Sequence, residues 1–296
     1  MQIHAPAKLN LCLYLGARRA DGLHELCSLF EPLALGDLIT LPTLTTPGGG
    51  QSRMGTELDE VLCPGVEGEN LVARALAVLR ERGWRHPPLR VEIKKRIPVA
   101  AGLGGGSADA AAILRLAAGE VAGLDEIALE LGADVPSQLT PALSLVRGVG
   151  EHVEPLPEPK RHAVVLLPGG GGLGTADVFA EADRLGLGRG DEELEELAQG
   201  LRTAAGSGAS PLTYPELLIN DLEPAARSLR PEIGDALESL RGAGASIALL
   251  TGSGPTAFGL FESLAEARNA AEQIARDDAI VCEAGEAPDL KVRSPA

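Results

Sequence analysis

Aromatic side chains are scarce in this sequence: one Trp, two Tyr and four Phe among 296 residues, 2% in all. The core must therefore be filled by Ala, Leu, Val and Ile, and each Phe or Tyr is worth locating. Positive charge is short as well. Lys and Arg number 26 against 42 Asp and Glu, and a net charge of -16 disfavours nucleic acid or an anionic membrane as the main partner. A small phosphate-bearing ligand is not excluded by that total, because it responds to the field of one loop or helix end. Long apolar runs are missing too; residues 162–167 are typical of the longest, far below bilayer length. Residues 1–8 lack a basic segment followed by an apolar run, so no export signal is read and a cytoplasmic location is expected. Cys12, Cys27, Cys63 and Cys282 are scattered, with no Cys-x-x-Cys and no Cys/His cluster, which speaks against structural zinc and against a disulfide framework.

The length suits two cores. Residues 7–14 alternate apolar and polar as a half-buried strand does, which puts Lys8 and Asn10 on one face. After a turn at 18–22, a second strand is expected at 24–33, and the glycine-rich stretch 46–60 is expected to be a mobile loop. Asn70 is placed to cap a helix over 70–82, followed by a strand at 89–95, helices at 108–118 and 124–131, and a strand at 143–147. Val135, standing before Pro136, is expected to avoid helical geometry. Three prolines in 154–160 suggest a boundary, dividing the chain into domains at 1–158 and 159–286 with a frayed tail at 287–296. Beyond it strands are expected at 163–167, 246–250, 257–261 and 280–283, with helices at 176–185, 192–202, 215–240 and 264–276. That alternation favours an α+β fold with mixed sheets and helices on one face.

The strongest local signal is Pro98-Val99-Ala100-Ala101-Gly102-Leu103-Gly104-Gly105-Gly106-Ser107-Ala108, which lies between an expected strand and an expected helix. Glycines let the backbone approach a phosphate, and the helix start presents free N–H groups with a positive dipole end. It is not a Walker A loop, since no lysine precedes Ser107, and protein-kinase signatures are absent. Taken singly, this loop also suits plain packing, Lys8 suits a solvated strand face, Asp134 suits a cap or turn, and 252–254 suits a hairpin.

The four motifs together weigh differently. Ala5-Pro6-Ala7-Lys8-Leu9-Asn10, the glycine loop, Gly132-Ala133-Asp134-Val135-Pro136 and Thr251-Gly252-Ser253-Gly254-Pro255-Thr256 occur in the order and spacing of GHMP kinases, which the chain resembles from residue 3 to about 285. Arg18-Arg19-Ala20-Asp21-Gly22-Leu23-His24-Glu25 and Asn70-Leu71-Val72-Ala73 resemble the diphosphocytidyl-methylerythritol kinase branch. The resemblance implies an N-terminal domain like the second domain of ribosomal protein S5, a ferredoxin-like C-terminal domain, and transfer of the ATP γ-phosphoryl to a diphosphocytidyl alcohol. It implies Lys8 and Asp134 as catalytic residues, with residues 98–108 around the ATP phosphates and Asn70 and Lys94, within 94–96, near adenine. Asn10, Leu23, His24, Phe179, Gly252 and Ser253 would hold substrate, and Ser107 would be a Mg2+ ligand. The small-molecule partner would be met by a monomer or homodimer, without nucleic acid or membrane. Two positions depart from the branch: Leu23 stands where relatives carry Tyr, and Ser137 where Phe is usual. A GHMP kinase for another alcohol, or a nucleotide-binding protein without catalysis, remains the alternative.

Overall fold

A computed structural model describes residues 1–42, 58–66 and 68–285. The loop expected at 46–60, apart from its last three positions, and the tail expected to fray from 287 lie outside the described residues.

Two long strands, β1 (Gln2–Arg18) and β2 (His24–Thr40), pair antiparallel along nearly their whole length. Alternation in β1 suggested one solvated face, yet residues 5–16 are all buried. Its polar face is covered by the rest of the molecule, so Lys8 and Asn10 are enclosed at 5% and 2% exposure. The ladder slips between Pro6 and Lys8 and again between Asn10 and Cys12. Such irregularities re-aim side chains, and here they bracket the two polar residues.

β2 is the hub of the first sheet. It pairs with β5 (Ser144–Gly148) over residues 26–30 and with β4 (Arg90–Lys94) over 38–40; β6 (His152–Pro155) extends β5, and β3 (Glu60–Leu62) runs parallel to β4. The second sheet has the antiparallel order β8 (Ile247–Leu250), β9 (Ala257–Phe261), β7 (His162–Leu167), β10 (Ile280–Ala284). It meets the first where Ala284 pairs with Leu33. The α+β expectation holds.

Helices α1 (Leu71–Glu81), α2 (Gly105–Leu116), α3 (Leu124–Leu131) and α4 (Val135–Leu139) share a core with the first sheet, around Ile39, Leu76 and Ile113. Asn70 caps α1, its side chain accepting from Val72 N at 2.8 Å. The second sheet buries Val165 and Phe261 against α5 (Thr175–Leu185), α7 (Glu223–Leu229), α8 (Glu232–Gly242) and α9 (Leu264–Ile274). α6 (Asp191–Ala205) lies against β1 and β2 in a third cluster, with Leu11, Leu29 and Leu201.

Three expectations need correction. α2 starts at Gly105, not at 108, so Ser107 stands in its first turn. Val135 is helical: Pro136 falls in the first turn of α4, where its missing N–H has no partner to lose. The helix expected across 215–240 is broken into one short 3-10 turn at 215–217, an irregular stretch at 218–222, α7 and α8, with Pro224 and Pro231 at the starts of the last two.

Candidate active site

The site is assembled on β1 from both halves of the chain. Lys8 N donates to Leu103 O at 3.0 Å, which seats the glycine loop on the strand. Gly104 has φ +67°, and a Cβ there would stand 2.8 Å from Lys8 Cγ; Gly102 has φ +75°, and a Cβ would meet Gly254 O at 2.9 Å and Thr251 O at 3.1 Å. Only glycine suits both the left-handed backbone and the contact. The loop is thus held between β1 and residues 251–256, which join β8 to β9. That connection is the hairpin turn the sequence allowed and also a wall of the site.

No side chain caps α2, and its first turn has no acidic residue. Its leading N–H groups and positive dipole end are available to an anion. Residues 98–107, with Asn70, Lys95 and Asp109, line a cavity of about 340 Å³. Ala108 lies behind it, fully buried. A second cavity, about 300 Å³, shares Gly102, Gly104 and Ser107 with the first and is lined by Lys8, Asn10, Asp134, Phe179, Gly252 and Ser253. The two chambers meet at the glycine loop.

Lys8 Nζ donates to Asn10 Oδ1 at 2.6 Å, lies 3.3 Å from Asp134 Oδ2, and stands 4.7 Å from the centre of the Phe30 ring. Asn10 is held in turn, its Nδ2 donating to Ser28 Oγ at 3.0 Å. Asp134 occupies the N-cap position of α4 but its carboxylate caps nothing. The side chain turns to Lys8 instead and remains 32% exposed, open to the second cavity. That separates it from an ordinary cap, which would spend its oxygens on the helix.

A second lysine sits under the loop. Lys95 Nζ bonds Asp37 Oδ2 and, at 2.9 Å, Asp109 Oδ2. The other Asp37 oxygen accepts from Arg96 N at 2.6 Å and Ile97 N at 2.9 Å, pinning the backbone just ahead of Pro98. Asp109 Oδ1 is buried with no partner among the described residues. Burial pushes the Asp109 carboxyl up to about 7 against the pull of Lys95. For Lys95, burial works downward, but the two carboxylates outweigh it and its pKa is raised.

Of residues 94–96, Lys95 lines the first cavity, whereas Lys94 is exposed and does not. The signal was present: Val91, Ile93 and Lys95 share the inward parity of the strand, and Lys94 lies on the other face. Asp37, Asp109, Ser28 and Phe30 were not singled out from sequence; nothing local marks them. At the far end, His24 is buried, its ring 5.3 Å from Phe179 and its Nε2 2.8 Å from Asp183 Oδ1. Phe179 lines the second cavity, while Leu23 is 52% exposed and does not. Ser253 Oγ lies 3.0 Å from Thr175 Oγ1 at the start of α5.

Among the described residues no three His, Cys, Asp or Glu side chains cluster as a metal cage. Ser107 lines both cavities, Asp134 the second, and Glu69 and Asp109 the first. That sparse oxygen set fits Mg2+, which keeps most of its coordination for phosphate oxygens and water.

Comparison with known proteins gives the family. The model for the GHMP kinases N terminal domain matches residues 70–138, and that for the GHMP kinases C terminal matches 192–279. The 4-diphosphocytidyl-2-C-methyl-D-erythritol kinase of Mesorhizobium japonicum is 37% identical over 282 residues, covering 92% of this chain and 90% of the relative. The protein of the same name from Thermobifida fusca is 40% identical over 278 residues, covering 91% and 89%. A crystal structure of 4-(cytidine 5'-diphospho)-2C-methyl-D-erythritol kinase superposes with a TM-score of 0.77 at 33% identity, covering 97% of this chain and all of that one. Identity of 37–40% over nine tenths of the chain means that the chain belongs to the GHMP kinases, in the 4-diphosphocytidyl-2-C-methyl-D-erythritol kinase family.

Proposed function

We propose that the protein transfers the γ-phosphoryl group of ATP to the 2-hydroxyl of 4-diphosphocytidyl-2-C-methyl-D-erythritol, giving the 2-phosphate and ADP, a step of the non-mevalonate route to isoprenoid precursors. One observation carries the reading: the Lys8–Asp134 pair, 3.3 Å apart, opens into a cavity that shares Gly102, Gly104 and Ser107 with the glycine-loop cavity. Phosphoryl transfer is catalysed mainly by positioning and charge. The loop at 98–107 and the start of α2 hold the ATP phosphates, with adenine toward Asn70 and Lys95. The acceptor hydroxyl lies against Asp134, whose carboxylate takes its proton as the new P–O bond forms and the bond to the β-phosphate oxygen breaks. Lys8, 3.3 Å from that carboxylate, orients it and adds positive charge beside the transferring group. Ser107 and the phosphate oxygens would hold Mg2+, which when bound offsets phosphate charge. Phe179 and His24 hold the cytosine, and Asn10, Gly252 and Ser253 the remainder of the substrate. In this reading the domains divide near 158 and the enzyme works in the cytoplasm.

The test is ADP release, with magnesium and ATP, across a panel of the diphosphocytidyl alcohol, mevalonate and homoserine. Selective turnover of the first is expected. Preference for another alcohol, or none, would overturn the reading.

A further inference from the structure

We infer that Asn220, in the irregular stretch before α7, is a positioning residue for the Lys8–Asp134 pair, acting through Thr251. This rests on the reading of that pair as the reacting groups. Asn220 is only 4% exposed. A buried amide must find partners for its donors and its acceptor. Its Nδ2 donates to Leu250 O at 2.6 Å and to Gly252 O at 2.8 Å, while Oδ1 accepts from Leu222 N at 2.9 Å. The two carbonyls flank Thr251, so one side chain holds the chain on both sides of that residue.

Thr251 is fully buried. Its Oγ1 accepts from Asn10 N at 3.0 Å and lies 3.4 Å from Asn10 Oδ1, the oxygen to which Lys8 Nζ donates. The backbone around Asn220 is tied to β1 as well: Leu13 N donates to Ile219 O at 2.8 Å, and Asp221 N donates to Leu13 O at 2.9 Å. A continuous path runs from the Asn220 amide through the 250–252 carbonyls, Thr251 Oγ1 and Asn10 to the lysine. The hairpin needs no such brace for its own sake, since β8 and β9 are already joined by their ladder. What the brace adds is the register of the second half of the chain against Lys8. Phosphoryl transfer depends on that register, because reacting groups displaced by a fraction of an ångström lose the in-line geometry.

The experiment uses the full chain well below its unfolding midpoint and compares Thr251→Val, Thr251→Ser, Asn220→Ala and Tyr14→Phe. Thr251→Val and Asn220→Ala are expected to lower kcat roughly 10²-fold while KM for ATP stays within about twofold. Thr251→Ser, which retains the hydroxyl, should recover most of the loss. Tyr14→Phe removes a hydrogen bond to Leu217 O at 2.6 Å that does not lead to Lys8, so it should lower stability without lowering kcat. A folded Thr251→Val enzyme with wild-type kcat would overturn the brace, as would a loss that Thr251→Ser fails to rescue. Should Asn220→Ala not fold, the two Thr251 variants decide the matter alone. An inactive wild type would overturn the reading of the pair, and the brace with it; an active wild type with an unaffected Thr251→Val overturns the brace alone.

Discussion

Two lysines flank the same glycine loop, and their surroundings differ in ways that separate chemistry from support. Among the described residues Lys8 has one carboxylate partner, Asp134, at 3.3 Å and partly exposed to a cavity. Lys95 has two, Asp37 and Asp109, both buried, one of which also binds two backbone N–H groups. The Lys95 cluster ties β2 and α2 to the backbone that leads into the loop, leaving little freedom. The Lys8 pair retains an open carboxylate oxygen and room beside it. A carboxylate that must accept a proton from a ligand has to be reachable, whereas one that holds a loop does not.

The sharpest way to break this comparison is at the Lys8 pair. Asp134→Asn keeps the shape and loses the base, and should lower kcat roughly 10²–10⁴-fold with ATP affinity largely kept. Steady-state kinetics alongside ATP calorimetry would check this, and near-normal turnover would remove Asp134 from the role. Lys8→Ala should also reduce turnover at little cost in stability, because water reaches the carboxylate it leaves behind. The opposite outcome is expected for Lys95→Ala, which strands two buried carboxylates and should cost roughly 3–5 kcal/mol in denaturant unfolding. If Lys8→Ala proved as destabilising as Lys95→Ala, the division of labour would fail.

Gly104→Val attacks the element that the two lysines share. The branched side chain meets Lys8 Cγ and must adopt φ +67°, so ATP binding should be lost in calorimetry while the chain stays folded by circular dichroism. Unchanged ATP affinity would show that the loop is not the phosphate cradle.

A smaller effect concerns pH. The folded-state pKa of Asp109, about 7, stands above the unfolded value near 4, so the folded chain binds more protons between those limits. The stability contributed by this group is complete below about 4 and is lost as the pH rises through about 7. Asp109→Asn does not titrate, and urea unfolding across that window should show a flatter slope than wild type. An unchanged slope would mean that Asp109 is ionised throughout, its charge fully met by Lys95.

The smallest expected change is at Leu23. The resemblance implies a tyrosine there, and an aromatic face on a base is worth roughly 1–3 kcal/mol. Leu23→Tyr should lower KM for the diphosphocytidyl substrate, and Phe179→Ala should raise it more sharply. If neither moves it, cytosine lies against neither position 23 nor Phe179.

What sequence revealed of this site, and what it hid, follows from the range of the interactions. α3 runs over the expected residues and Asn70 caps α1 as expected, because both are decided within one or two helical turns. The strand, glycine loop and helix order was legible for the same reason. The clamp around Lys95 was not, since it joins β2, β4 and α2 across a sheet and a helix, and its only local trace is strand parity. The break at 218–222 was hidden because apolar spacing continues through it, while the buried hydrogen bonds of Asn220 depend on β1 and β8 being in place. Leu23 entered the site through its motif alone; its exposure is set by the turn that precedes β2.

The most direct test is a double-mutant cycle of single-turnover rates for Lys8→Ala, Asp134→Asn and the two combined, with ATP saturating. Groups that act as one unit lose their function once, so the double variant should be about as slow as the slower single variant. Losses that multiply, or single variants that react at near the wild-type rate, would contradict the account of Lys8 and Asp134 as one working pair.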